Sequence, residues 1–215
     1  MKRPAIIIGA GGHGRVVLDI LRQVGGVDPV GFIDADVSRA GATVDGLPIM
    51  GAINLLPKLV KQEVKSAIVA IGDNRARVSY ARMVIEQGME LVNAVHPSAL
   101  VSATAKIGRN VVVAVGAIIG TDAHIGDSCI VNTGAVIDHE CRIGEGVHIC
   151  PGALLAGRVE VQMGAFVGLG AKVLPCLKVG ANAVVGAGAL VREDVPENAT
   201  VVGVPARVIR VEAGQ

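Results

Sequence analysis

From Ile107 the chain can be read in steps of six without a break: Ile107, Val113, Ile119, Ile125, Val131, Ile137, Ile143, Ile149, Leu155, Val161, Val167, Val173, Val179, Val185 and Val191 are all aliphatic. Two positions before each stands a compact residue such as Ala105, Ala117 or Cys129, and Leu177 is the only large one. A period of six walks around a 3.6-residue helix and leaves it no fixed face, so the stretch is not helical. Very short parallel strands joined by tight corners do satisfy it. Three hexads then close one triangular coil, the arrangement of a parallel β-helix with the aliphatic residue pointing inward and the small one making room at the corner. At about 4.8 Å per stacked strand, five such coils form a column about 24 Å long.

The repeat occupies only the second half of the 215 residues, which leaves room for a second unit with its own core. A net charge of +1, a single Tyr, two Phe and no Trp remove the basic patches and stacking aromatics of a nucleic-acid binder. No run of apolar residues is long enough for a membrane span. The opening MKRPAIIIGAGGHG is broken by glycines and His13 before any cleavage pattern, and reads as the first strand of a cytoplasmic protein. The four cysteines show no CxxC spacing, so they read as reduced packing or corner residues, and no His, Cys, Asp and Glu set has metal spacing.

In the first half, PAIIIG reads as a buried strand running into GAGGHG, where Gly9, Gly11 and Gly14 fit GxGxxG. A helix follows and stops at Gly25 and Gly26, and the strand PVGFID ends at Asp34. After a loop through Asp36 and Asp45 come LPIMG, a helix over residues 52–62, the strand SAIVAIG, a helix over 75–87 and a last strand, ELVNAV. Four strands in about 95 residues make a half-sized parallel α/β unit. It lacks the second mononucleotide half that a nicotinamide dinucleotide requires, so a nucleotide diphosphate is the expected ligand. His13 in the loop can donate to a phosphate oxygen, Asp34 or Asp36 can accept from a ribose or base, and Asn74 and Arg77 lie at the same carboxyl ends of the strands.

The repeat has one irregularity. Asp138, His139 and Glu140 follow the inward Ile137, which puts His139 at an outward corner with Thr121 one coil before it and Gly157 one coil after. A glycine there is expected to leave open space beside the ring, and a carboxylate in reach would fix the imidazole tautomer and make it a better base. His124 and His148 also lie in the repeat, His148 beside the inward Ile149.

In IIIGAGGHGRVV, IGDNRAR, NTGAVIDHECRIGEGVHICPGALLAG and VVGVPARVIR the chain resembles the hexapeptide-repeat nucleotide-sugar acetyltransferases, which include the N-acetyltransferases of the bacillosamine and perosamine pathways and the sialic acid O-acetyltransferases. The resemblance spans nearly the whole chain. It implies an α/β half-Rossmann domain for nucleotide sugar over residues 1–95, and a left-handed parallel β-helix with a C-terminal cap over 96–215. His139 would be the general base, paired with Glu140, with Asp138 as the rival partner. Asn132 would hold the acceptor amino group or sugar, His148 and the backbone amide of Gly157 would contact the acetyl end of acetyl-CoA, and Gly186 and Gly188 would line the pantetheine track. Gly11, Gly12, His13, Asp34, Asp36, Asn74 and Arg77 would hold the nucleotide diphosphate. Family members are homotrimers with the active site between adjacent prisms. The implied reaction moves acetyl to the exocyclic amine, at C4, of a UDP- or GDP-linked deoxy amino sugar. O-acetylation of sialic acid or a similar sugar is the alternative, and a non-catalytic scaffold or sugar-nucleotide sensor the rival outside enzymes.

Overall fold

The computed structural model describes residues 2–212, and these divide into two compact units between Pro97 and Ser98. The first is built on β1 (Arg3–Ile8), α1 (Gly12–Val24), β2 (Val27–Ile33), β3 (Thr43–Val44), β4 (Leu47–Gly51), α2 (Leu56–Lys61), β5 (Ser66–Val69), α3 (Asn74–Glu86) and β6 (Glu90–Leu91). Its sheet runs β3-β4-β2-β1-β5-β6, parallel except for the β3–β4 hairpin. The central strands are buried aliphatic runs because helices cover both faces of such a sheet. Ile6, Ile8, Ile33, Leu59, Val69 and Val84 belong to one core cluster beneath α2 and α3.

Three details differ from the sequence reading. LPIMG is not a preface to a helix but the strand β4, and the loop before it folds back as a hairpin through Asp45 (φ 46°) and Gly46 (φ 84°). Asp-Gly between two strands is the favoured two-residue connection, since both positions take positive φ. The helix expected over residues 52–62 is a short 3₁₀ turn, Ile53–Leu55, followed by α2. ELVNAV splits into β6 and a separate strand, Ala94–Val95, which is not part of this sheet, and the β3–β4 hairpin brings the sheet to six strands rather than four.

The second unit is the parallel β-helix that the sixfold period demands. Its first face stacks Val112–Val113, Ile130–Val131, His148–Ile149, Phe166–Val167 and Val184–Val185. The second stacks Leu100–Val101, Ile118–Ile119, Val136–Ile137, Leu154–Leu155, Lys172–Val173 and Leu190–Val191. The third stacks Lys106–Ile107, His124–Ile125, Arg142–Ile143, Glu160–Val161 and Lys178–Val179. Each strand pairs with the one eighteen residues on, as in Ile119↔Ile137 and Ile137↔Leu155. From Val113 to Val191 every inward aliphatic is buried.

The outward residues differ between faces. The second face presents Leu100, Ile118, Val136 and Leu154, then Lys172 and Leu190, whereas the third presents Lys106, His124, Arg142, Glu160 and Lys178. After the last coil, Ala199–Val202 adds to the first face in parallel and Arg207–Val211 turns back antiparallel along it, so a hairpin rather than an open parallel rung ends that sheet. Residues 213–215 of the expected cap lie outside the described residues.

The corners follow one backbone rule. The third residue after each inward aliphatic has positive φ, from Asn110 (φ 57°) to Gly188 (φ 67°). Between the first and second faces this slot is filled by Gly116, Gly134, Gly152, Gly170 and Gly188, which we term the glycine corner. Between the second and third faces it holds Asp122, Glu140, Arg158 and Cys176, at what we term the histidine corner.

Candidate active site

At the histidine corner, Nδ1 of His139 lies 3.0 Å from Oε2 of Glu140. A carboxylate only accepts, so Nδ1 carries the hydrogen and Nε2 is left with its lone pair. Of the two flanking acids it is therefore Glu140 that orients the ring. Asp138 is engaged elsewhere: its Oδ1 accepts the backbone N–H of His139 at 2.6 Å. Glu140 itself has left-handed backbone (φ 58°), a corner conformation in which its side chain reaches the imidazole of the preceding residue.

Gly157 is needed for a different reason from the open space expected of it. A Cβ at that position would collide with Nε2 of His139 and stand 2.6 Å from Cε1, so the imidazole itself fills the room that the glycine leaves. Gly157 is buried, and its N–H has no acceptor among the described residues, although the amides on either side bond to neighbouring coils (Ala156 to Val173 at 3.1 Å, Arg158 to His139 at 2.9 Å). A basic ring nitrogen and a vacant amide donor thus lie side by side. That pairing suits removal of a proton from a nucleophile and stabilisation of a developing oxyanion.

The other residues expected of this site stand elsewhere on the prism. Nδ2 of Asn132 donates to Nε2 of His148 at 3.1 Å, while its Oδ1 accepts the Thr133 N–H at 2.8 Å. His148 also packs edge-on to Phe166, with ring centroids 5.2 Å apart. The Asn132 amide is thus engaged with His148 and Thr133 in this structure. Asn132 belongs to the glycine corner and His148 to the first face, so neither shares a corner with His139. Gly188 is open at the glycine corner, but Gly186 is packed, since a Cβ there would stand 2.7 Å from Cγ1 of Val202. A shallow groove of about 620 Å³ runs along the charged third face past Arg142, Glu145 and Glu160.

In the α/β unit a cavity of about 340 Å³ is lined by Gly9, Gly11, Gly12, His13, Asp34 and Gly72, among others. Gly11 caps the N-terminus of α1, nothing stands within 4 Å of a Cβ at Gly11 or Gly12, and both glycines line the cavity at this helix start. Gly14 is the packing glycine of the motif, because a Cβ would strike the carbonyl of Gly9. His13 has a buried Nε2 with no partner among the described residues, and burial, aided by the nearby Arg77 charge, lowers its pKa to about 4. It enters the cavity as a neutral ring.

The acids and the arginine near this cavity are mostly occupied. Asp34 accepts from the Ala10 N–H (2.7 Å), the Asp36 N–H (3.0 Å) and Arg39 (3.3 Å), so it braces the glycine loop. Asp36 caps the 3₁₀ turn that follows by accepting from Ser38, whose hydroxyl and backbone amide hold its carboxyl below the usual range. Arg77 is 0% exposed and donates to the carbonyls of Ile71 (2.9 Å) and Gly72 (3.1 Å) and to Oδ1 of Asn74 (2.8 Å). Arg77 and Asn74, expected as phosphate ligands, therefore lock the β5–α3 loop into shape. Two residues that the sequence reading passed over belong here. Arg39 ties the glycine loop by donating to the Ala10 carbonyl at 3.0 Å, and Tyr80 lines the cavity. The single tyrosine of an aromatic-poor chain was the available signal for the second.

A triangular β-helix with a carboxylate-oriented histidine over a glycine amide defines a hexapeptide-repeat acyltransferase. Residues 5–84 match the PglD N-terminal domain and residues 122–157 the bacterial transferase hexapeptide of six repeats. PerB from Caulobacter crescentus, solved in complex with CoA and GDP-perosamine, is 43% identical, with 95% of this chain and 96% of that chain covered and a TM-score of 0.91. The acetyltransferase domain of PglB from Neisseria gonorrhoeae, solved with acetyl coenzyme A, is 34% identical over 97% of this chain and 100% of that one, with a TM-score of 0.90. WeeI from Acinetobacter baumannii, at 24% identity with 97% and 100% covered and a TM-score of 0.86, shares the fold. No curated protein matches the sequence. The chain belongs to the hexapeptide-repeat nucleotide-sugar N-acetyltransferase family.

Proposed function

We propose that the chain transfers acetyl from acetyl-CoA to the C4 amine of a GDP- or UDP-linked 4-amino deoxy sugar. The observation that carries this reading is the placement of the His139 lone-pair nitrogen against Gly157, whose amide lacks an acceptor. The relative solved with GDP-perosamine supports an amine acceptor and, of the two nucleotides, favours GDP.

In this mechanism the acceptor enters as an ammonium ion and loses one proton to solvent. The free amine attacks the thioester carbonyl carbon as Nε2 of His139 takes its second proton, and the carbonyl oxygen, now anionic, accepts from the Gly157 N–H. The C–S bond then breaks, its electron pair goes to sulfur, and the imidazolium returns the proton to give the CoA thiol and the amide. Glu140 stabilises the imidazolium while it exists. A positioned base contributes roughly 10² to 10⁴ in rate, and holding both substrates together contributes further.

Residues 1–95 serve as the nucleotide-sugar domain in this reading, with the Gly11 and Gly12 amides and neutral His13 toward the diphosphate, and residues 96–215 as the acetyltransferase domain. His148 and Gly188, which share no corner with His139, serve acetyl-CoA held by a neighbouring copy. A homotrimer is the consistent assembly, and the stacked aliphatics Leu100, Ile118, Val136 and Leu154 give it a face to bury. Among the described residues no helix is long and apolar enough to cross a membrane. A cytoplasmic location follows from the use of acetyl-CoA.

The test is thiol release from acetyl-CoA with a panel of GDP- and UDP-linked amino sugars and sialic acid as acceptors. An amino sugar should be turned over and sialic acid should not, and His139→Asn should lower kcat. Absence of turnover with every acceptor, or a His139→Asn variant as active as the parent, would sink the catalytic assignment.

A further inference from the structure

The first position after each inward aliphatic is the tightest point of the coil. A Cβ on Gly120 would come within 2.8 Å of the Asp138 carbonyl carbon and the His139 nitrogen, and most corners place Gly or Ala there, as at Gly108, Ala114, Gly120, Gly126, Gly144 and Ala156. Asn132, Asp138, Cys150, Gln162, Leu174 and Arg192 depart from that rule, and of these Asp138 is the carboxylate, next to the base. It is exposed, and one oxygen accepts the His139 N–H. The fold does not require that cap, because the equivalent amide one coil on, at Gly157, has none. The second carboxylate oxygen accepts nothing among the described residues.

We infer that Asp138 is the group that binds the acceptor as its ammonium ion. The inference rests on the amine-transfer reading above and sharpens it. An amino sugar near neutral pH arrives as a cation, and a neutral imidazole offers it no counter-charge. Glu140 is committed to Nδ1 of His139, and Asp122 lies a coil away. Arg158, one coil beyond Glu140, is the opposing charge at this corner, which leaves Asp122, Asp138 and Glu140 in excess over it. Asp138 is thus the carboxylate adjacent to the base with an oxygen to spare. A charged hydrogen bond of this kind discriminates an amine from a hydroxyl at the same carbon, so Asp138 sets the preference for N- over O-acetylation.

The experiment compares binding of GDP-perosamine and its 4-hydroxy counterpart GDP-rhamnose, or the matching UDP pair if the parent protein turns over that sugar, to the parent and to Asp138→Asn. Asparagine keeps an oxygen for the His139 amide and removes only the charge, and Asp138→Ser, which can also cap, serves as a second variant should the first fold poorly. Binding of the amino sugar should weaken about 10- to 100-fold, the range of one charged hydrogen bond, while the hydroxy sugar changes less than about twofold. The KM for acetyl-CoA and the thermal midpoint should hold. Equal losses for both sugars, or no loss for either, would reduce Asp138 to a backbone cap and overturn the inference. Turnover by the parent protein is read separately, so failure here is distinct from failure of the acetyltransferase reading.

Discussion

The prism and the α/β unit use their polar side chains in opposite ways. In the prism the repeat satisfies most of its own backbone, coil upon coil. Some corner side chains cap amides, as Asp127 does for Arg109 and Asn132 for Thr133, but those of His139 and Glu140 bond to no backbone group among the described residues and pair with each other at the surface, 48% and 55% exposed. In the α/β unit the loops at the ends of the strands carry backbone groups that no ladder satisfies, and Asp34, Asp36 and Arg77 are drawn in to satisfy them, with Asn74 accepting from Arg77. A polar residue that breaks a strict repeat therefore points to chemistry far more reliably than one in an irregular loop.

The largest effect that tests this contrast lies at Gly157. Alanine there adds one methyl where Nε2 of His139 now sits, so the ring must swing away from the amide. Activity of Gly157→Ala should fall by about 10² or more, comparable to loss of a positioned base, while circular dichroism shows an intact prism. An active Gly157→Ala enzyme would mean that the ring does not work from this pose.

In the α/β unit the corresponding experiment is on stability. Arg77→Met leaves the carbonyls of Ile71 and Gly72 without this donor and should destabilise by about 3 kcal/mol in urea unfolding. A variant of unchanged stability that has lost only nucleotide affinity would return Arg77 to the role of ligand and break the contrast.

His13 gives the next test through pH. Its folded pKa of about 4 lies below the ordinary value of 6.5, so between those values the unfolded chain binds the extra proton. Stability is thus complete above 6.5 and is lost as pH falls toward 4, by up to about 3 kcal/mol for a group buried this deeply. His13→Asn should flatten that slope and cost less at pH 4.5 than at pH 7. A parallel pH dependence in both proteins would show that His13 is solvated and titrates normally.

The period of six made the prism legible residue by residue, because inward positions are set by a geometric rule with no exceptions from Val113 to Val191. The left-handed slot three residues later is written in the sequence as a column of glycines along one corner, but the mixed residues that fill it at the other corners, such as Asn110, Asp122 and Ser128, obscure it. The Asp45-Gly46 hairpin was a local signal of the same kind. Arg77 was not legible. Its position in IGDNRAR at the carboxyl ends of the strands suggests a nucleotide ligand, and only the docking of α3 beside β5 shows that its guanidinium is enclosed by the loop it caps. The bond from Asn132 to His148 was not legible either, since it spans sixteen residues that only the stacking of coils brings together.

The smallest expected effect separates the two demands on a single corner residue. Every other corner of the prism can use glycine in the left-handed slot, yet Glu140 holds that conformation (φ 58°) with a full side chain, as do Asp122, Arg158 and Cys176 above and below it. For a non-glycine residue the conformation costs about 1 kcal/mol. The exposed ion pair with His139 offsets only a fraction of that, because water screens it. Glu140→Gly should therefore raise the thermal midpoint slightly while lowering kcat, since the imidazole loses the acceptor that holds its hydrogen on Nδ1. Glu140→Gln, which retains the strain and can still accept from Nδ1, should lose activity without gaining stability. If instead Glu140→Gly were both less stable and less active, the glutamate would be part of the scaffold after all, and the freedom of corner side chains from structural duty would not extend to the site itself.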